Sequence, residues 1–309
     1  MAEQSIFTVA VHAGEQAAQI VPVAGPDAGR AYQPVVTPVH HSVAYTYADT
    51  ADLDAVFAGA SQNPVYARYG NPTVTAFEAA VAALEGGSAA LAYSSGMAAI
   101  HGALLAAGCR AGSAVVCAHD IYGATYALLR QLLATQGVSA TFVDVADLPA
   151  VEAALQQARP AALLVETMSN PLLKVADLAH LADLAHGAGA ALVVDNTFAT
   201  PMLCRPLDLG ADYVVHSATK YLGGHGDVLG GVVVVRDRAH RTALYEVNKL
   251  LGANLAPDEA WLAHRGLKTF PLRMERHCRN AAEVAAWLAA DDRVAKVNYP
   301  GLPAHPQHD

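Results

Sequence analysis

The feature that most constrains this chain is an alternation, from about Pro64 to Val235, of short apolar runs with longer Ala/Leu-rich stretches of helical pattern. The runs lie at 114–117, 140–143, 162–165, 191–194 and 213–215, and helical patterns at 122–135, 148–158 and 178–186 fall between them. A strand that is apolar along its whole length must be covered on both faces. Alternation with helices therefore predicts an α/β fold, a mostly parallel sheet covered by helices. Gly137, Gly189 and Gly210 follow helical stretches, where a left-handed closing residue is expected.

The flanks differ from this middle portion. Residues 1–60 contain Pro22, Pro26, Pro34 and Pro38 and no clean period, and read as an extended arm contacting a neighbouring subunit. After Val235 come helical segments at 238–250, 257–265 and 274–290, then a Pro-rich loop from Tyr299. The expected division is an arm at 1–60, a large domain at 61–245, and the start of an incomplete small domain at 246–309.

Composition excludes several function classes. The 309 residues are 53% hydrophobic and 15% charged, enough to bury a sizeable core. The net charge of -9 and the lack of a basic run argue against a nucleic-acid partner, since phosphate neutralisation needs clustered Lys and Arg. No apolar run is long enough for a membrane span, and the start lacks the pattern of a secretory signal, so a cytoplasmic protein is expected. Cys109, Cys117, Cys204 and Cys278 have no CxxC spacing and read as reduced core thiols. The 14 histidines, including His40, His41, His216 and His225, form no helical ligand pair, and no metal is expected.

In α/β sheets ligands bind beyond the carboxyl ends of the strands, so the residues there carry the functional argument. Asp195, Asn196 and Thr197 follow one run; His216-Ser-Ala-Thr-Lys220 follows another. Glu166, Thr167, Ser169 and Asn170 follow a third, and Ser94-Ser-Gly-Met97 opens a helix after the run ending at Tyr93. Lys220, flanked by hydroxyls and glycines, suits an imine-forming amine. Asp195 suits a carboxylate that keeps a ring nitrogen protonated. Ser95, Gly96 and Met97 at a helix N-terminus offer N–H groups to a phosphate, with Ser217 and Thr219 adding hydroxyls. Tyr122, opening the next helix, suits a ring that stacks on a ligand and shuttles protons. Taken singly, each has a structural alternative: a surface turn for Ser217–Lys220, a helix cap for Asp195, a flexible turn for Gly223-Gly-His-Gly226. Their joint occurrence, in order and with βα units between, favours one site. No Walker loop and no GxGxxG motif competes with it.

Six segments then carry a resemblance: Val65-Tyr-Ala-Arg-Tyr-Gly-Asn-Pro-Thr73, Ser94–Met97, Tyr122-Gly-Ala-Thr125, Glu166-Thr-Met-Ser-Asn-Pro171, Val194-Asp-Asn-Thr197 and His216–Asp227. Together they resemble the Cys/Met-metabolism, or transsulfuration, enzymes that use pyridoxal 5'-phosphate (PLP), a group of cystathionine γ-synthases and γ-lyases, O-acylhomoserine sulfhydrylases and methionine γ-lyases. Arg265-Gly-Leu-Lys-Thr-Phe and Arg273-Met-Glu-Arg-His are similar to the family's entry into its small domain.

The resemblance implies PLP fold type I, like aspartate aminotransferase, and PLP held by Lys220 as a Schiff base. Asp195 would partner the pyridinium nitrogen, and Tyr122 would stack on the ring and act as an acid toward the leaving group. Ser95, Gly96, Met97, Ser217 and Thr219 would surround the phosphate, with Asn170 near the phenolic oxygen. Tyr66 and Arg68 would reach the phosphate of a neighbouring subunit, in a homodimer or a homotetramer built as a dimer of dimers. The implied reaction is γ-elimination or γ-replacement on a small sulfur amino acid or O-acylhomoserine. The alternatives are β-elimination of the cystathionine β-lyase type and a catalytically idle PLP-binding assembly protein. Two departures stand out. Ala124 occupies the place of a cysteine of methionine γ-lyases, and family chains continue beyond Asp309, where an arginine grips the substrate carboxylate.

Overall fold

A seven-stranded sheet organises the chain in the computed structural model, which describes residues 4–15, 21–22, 31–32, 34–61 and 63–308. The parts of the expected arm at 16–20, 23–30 and 33 lie outside the described residues. In chain order the first elements are α1 (Ile6–His12), the short ladder of β1 (Val21–Pro22) with β2 (Ala31–Tyr32), α2 (Thr50–Phe57) and α3 (Pro72–Glu85). The layered region follows as β3 (Ala89–Tyr93), α4 (Gly96–Ala106), β4 (Ala114–Ala118), α5 (Gly123–Ala127), β5 (Ser139–Val143), α6 (Leu148–Ala158), β6 (Ala162–Glu166), α7 (Leu178–Gly187), β7 (Ala191–Asp195), α8 (Thr200–Leu203), β8 (Tyr213–Ser217) and β9 (Gly231–Val235). Three helices complete it: α9 (Arg238–Leu251), α10 (Pro257–Leu267) and α11 (Phe270–Ala289). Among the described residues no helix is long and apolar enough to cross a membrane.

The strand order is β3-β9-β8-β7-β6-β4-β5. Pairing is parallel from β8 across to β5, and antiparallel on both sides of β9. Only β9 therefore runs against the rest, and the carboxyl ends of the other six strands share one edge. All five apolar runs are strands, and Gly137, Gly189 and Gly210 adopt φ of 83°, 73° and 95° as expected after helices. The helical pattern at 122–135 starts as α5 and continues without a break through a π-helical turn (Leu128–Leu132) and a 3-10 turn (Leu133–Gln136).

Caps fix where the helices begin. Asn71 Oδ1 accepts from the N–H groups of Thr73 (2.9 Å) and Val74 (3.4 Å), and Pro72 sits where no N–H is needed. Asp147, Asp177 and Asp237 cap α6, α7 and α9 in the same way. One core layer packs α3, α6, α7, α10 and the start of α11 against residues such as Leu163, Val194 and Val214. The other packs α4, α9 and the 128–133 turn against Leu164, Val193 and Val215. Alternate residues of one strand thus serve opposite layers.

Helices α1 and α2 stand within residues 1–60, where the sequence pattern suggests only an extended arm. In α1, Ile6, Val9, Ala10 and Ala13 recur at helical spacing and pack on the α3 layer. His264 Nε2 meets Ala13 O at 3.1 Å, Lys268 Nζ donates to Val11 O at 3.0 Å, and Lys268 pairs with Glu15. Gly14 (φ +82°) lets the chain pass so close to α3 that a Cβ there would lie 2.2 Å from Ala76 O. α9 runs through position 245, and Ala260, Leu267 and Phe270 beyond it belong to the α3 core layer.

Candidate active site

Beyond the shared strand edge opens a cavity of about 250 Å³. Its lining brings together Ser95, Gly96, Met97, Tyr122, Asn170, Asp195, Ser217, Thr219 and Lys220, nine of the eleven residues singled out from the sequence. Glu166 and Phe198 line it as well.

Each wall follows from a strand end. Ser95 closes the turn after β3 and caps α4: its hydroxyl accepts from Ala98 N–H at 3.1 Å and its carbonyl from Ala99 N–H at 3.0 Å. The N–H groups of Gly96 and Met97 have no partner among the described residues and sit at the positive end of the helix. A Cβ on Gly96 would lie 2.9 Å from Ser217 Cβ, so glycine is what allows α4 to begin against β8. Ser217 is held in turn by its N–H, which donates to Thr197 Oγ1 at 2.8 Å. The Thr219 hydroxyl is engaged with Gly230, accepting from its N–H at 3.1 Å and lying 3.3 Å from its carbonyl. Lys220 is exposed and lines the cavity, and its Nζ has no hydrogen-bond or ion-pair partner among the described residues.

The electrostatics are set by two neighbouring carboxyls. Desolvation raises the pKa of Asp195, against the N–H of Thr197 donating to Oδ1 at 3.0 Å and the nearby His216. Glu166 is pushed up to about 7, chiefly by desolvation and then by Asp195, while two backbone N–H groups oppose the shift. Those N–H groups belong to Tyr122 (2.9 Å) and Asn170 (3.3 Å).

Behind the cavity, on the opposite face of the same strand ends, lies a second polar row that sequence reasoning did not assign. Thr167 Oγ1 donates to Asn196 Oδ1 at 2.8 Å, and Asn196 Nδ2 donates to Glu85 Oε1 at 2.8 Å. His216 Nε2 meets the same oxygen at 2.6 Å, and all four residues are buried. Three of them sit one position from a cavity residue, as strand alternation requires: Thr167 after Glu166, Asn196 after Asp195, His216 before Ser217. The row ties β6, β7 and β8 to the end of α3, and with them the residues in front. The part of it visible in the sequence is the polar residue beside a cavity residue at three strand ends, Thr167, Asn196 and His216; the distant Glu85 is not visible there.

Tyr66 and Arg68 lie apart from the cavity. Arg68 Nη1 donates to Lys249 O at 2.5 Å in the last turn of α9, and its guanidinium stands 4.9 Å from the Tyr69 ring and 5.5 Å from that of Tyr66. Tyr66 is partly exposed and meets Tyr69 edge-on at 5.8 Å.

These groups fit a phosphorylated pyridine aldehyde. The unpaired N–H groups of Gly96 and Met97 suit a phosphate, and Asp195 is a desolvated carboxylate facing the cavity without a cation partner among the described residues. Lys220 supplies an unpaired amine.

Comparison with known proteins agrees. Residues 17–309 match the family model described as Cys/Met metabolism PLP-dependent enzyme. The chain is 44% identical over 280 residues to the L-methionine gamma-lyase of Porphyromonas gingivalis, covering 89% of this chain and 69% of that protein. It is 45% identical over 252 residues to the cystathionine gamma-lyase of Bacillus subtilis, covering 82% and 66%. The crystal structure of metB from Corynebacterium glutamicum superposes with a TM-score of 0.88 at 38% identity, covering 99% of this chain and 74% of that one. Sequence motifs, strand-edge geometry and these matches agree: the chain belongs to the Cys/Met-metabolism PLP-dependent enzymes.

Proposed function

We propose that this protein carries out γ-elimination or γ-replacement on a small sulfur amino acid or an O-acylhomoserine, with PLP held by Lys220. The observation that carries the reading is the convergence of the unpaired Lys220 amine and the desolvated Asp195 carboxylate on one cavity. When bound, PLP supplies an electron sink for the carbanion formed next to the substrate nitrogen. Asp195 holds the pyridine nitrogen protonated, which its cation-free carboxylate suits. Gly96 and Met97 N–H groups and the Ser217 hydroxyl bind the phosphate, and Thr219 orients the following Lys220 through its bonds to Gly230. Lys220 would hold the cofactor and, with its amine free, would move a proton between Cα and Cβ of the substrate. Tyr122 would deliver a proton to the departing γ-group, and Asn170 would help to hold the cofactor through its phenolic oxygen.

Tyr66 and Arg68 complete the phosphate site of a neighbouring copy in a dimer or tetramer of cytoplasmic location. Residues 61–245 are proposed as the cofactor-binding unit, and the start of the second unit, with Ala260, Leu267 and Phe270, packs into its α3 core layer. Cystathionine, methionine and O-acylhomoserines, offered singly and with a thiol, test the reading. Ammonia with a four-carbon 2-oxo acid supports γ-elimination, and a thioether product supports replacement. Pyruvate would instead assign β-elimination. No product from any of these substrates, with the cofactor bound, would overturn the enzymatic reading.

A further inference from the structure

Two turns carry cavity residues beyond the strand ends: the β4–α5 turn with Tyr122, and the turn after β6 with Asn170, whose base is closed by a bridge between Met168 and Val175. They meet at one side chain. Glu166 Oε1 accepts from Tyr122 N–H at 2.9 Å, and Glu166 Oε2 accepts from Asn170 N–H at 3.3 Å. Both oxygens of a single carboxylate are used, one per loop. Tyr122 is the N-cap position of α5 and has no side-chain cap bond, so this N–H is the point where the helix start is pinned.

A second tie joins the same two loops further out. Lys174 Nζ lies 2.6 Å from Asp120 Oδ2 and 3.3 Å from Asp144 Oδ2. It is partly exposed, and exposed pairs contribute little. The inner tie is partly shielded, uses one oxygen for each loop, and is charge-assisted once Glu166 is ionised.

We propose that Glu166 is a positioning residue that clamps the Tyr122 and Asn170 loops together over the cavity and so fixes where the Tyr122 hydroxyl meets the reacting atoms. The clamp rests on the reading of the cavity given above. It explains why a carboxylate is retained beside Asp195, its register partner on β7, although two adjacent carboxylates repel. A glutamine in this place offers one acceptor oxygen and a donor where the second N–H needs an acceptor. An alanine offers neither.

The test reads amide exchange in cofactor-free protein, so it does not depend on activity. In Glu166→Ala, the Tyr122 and Asn170 amides should exchange about 10- to 100-fold faster, the loss expected for bonds to a charged group. In Glu166→Gln, only one of the two should. Amides of β8 should stay within about twofold, and Lys174→Ala should change the loops by no more than about fivefold. With cofactor and substrate, Glu166→Gln should lower kcat about tenfold or more with KM little changed and the cofactor content intact. Unchanged exchange at both amides in both variants overturns the clamp, as does equal acceleration in β8, which marks general loosening. Faster exchange with an unchanged kcat overturns its part in the reaction. Wild-type protein that fixes no cofactor on borohydride reduction overturns the reading of the cavity alone, since the exchange result stands without it.

Discussion

Asp195 and Glu166 are register partners on neighbouring parallel strands, side by side at the edge where the cavity opens. Their environments differ: among the described residues Asp195 takes donors only from Thr197, whereas Glu166 spends both oxygens on loop N–H groups. One carboxylate is thus left to meet a ligand, and the other is committed to the protein. This asymmetry supports the cofactor role proposed for Asp195 and leads to the first expectation.

Asp195→Ala should leave the fold intact and remove most turnover. The ring nitrogen would lose its charge partner, and the barrier should rise by several kcal/mol, about 100- to 1,000-fold in kcat, as for other preorganised donors and charges in a site. Steady-state kinetics at matched cofactor content measures this. Turnover within about threefold of wild type would remove Asp195 from the mechanism.

Gly96→Ala addresses the phosphate end. The added Cβ would stand 2.9 Å from Ser217 Cβ and 3.1 Å from Ser217 Oγ, so α4 or β8 must shift. The N–H groups of Gly96 and Met97 would then miss the phosphate, and the cofactor Kd should rise about tenfold or more. Cofactor titration of the apoprotein followed by fluorescence gives the value. An unchanged Kd would place the phosphate elsewhere.

Stability should depend on pH through Glu78. Burial raises its carboxyl to about 7, although Oε1 accepts Ala92 N–H at 2.8 Å and Arg241 lies nearby. In the unfolded chain the same group titrates near about 4.3. Between these values the folded state binds the extra proton, so this group's contribution is fully present below about 4.3 and is lost as pH rises through 7. Glu78→Gln keeps the acceptor and cannot ionise. Its melting temperature should match wild type near pH 4.5 and exceed it at pH 8. A gap that is constant with pH, or reversed, would contradict this.

The sharing of sites between subunits has its own test. Here Arg68 rests on the last turn of α9 beside Tyr69, outside the cavity. Lys220→Ala and Arg68→Ala proteins, unfolded together and refolded as an equal mixture, should regain about a quarter of wild-type activity if dimers exchange these residues reciprocally. Mixed dimers that form without regaining activity would show that Arg68 serves its own chain.

The sheet was readable because β4, β6, β7 and β8 are apolar along their length, and nine cavity residues were readable because they lie at or just beyond the ends of β3, β4, β6, β7 and β8. The α1 helix was obscured because its seven residues are too short for a clear period beside a stretch rich in prolines from Pro22 onward, although Ser5 and the spacing of Ile6, Val9 and Ala10 mark it. Glu166 stood in view at a strand end, but only coordinates show which N–H groups its oxygens reach. The Glu85–Asn196–His216 contacts join residues more than a hundred positions apart, a distance that no local pattern reports.

The central claim is that Lys220 is the amine that holds PLP. Borohydride reduction of the cofactor-loaded protein, followed by intact mass and peptide mapping, tests it directly. One reduced phosphopyridoxyl group per chain is expected, located on the peptide containing Lys220, and none in Lys220→Ala. An adduct on another lysine of the wild-type protein, or one that persists in Lys220→Ala, would contradict it.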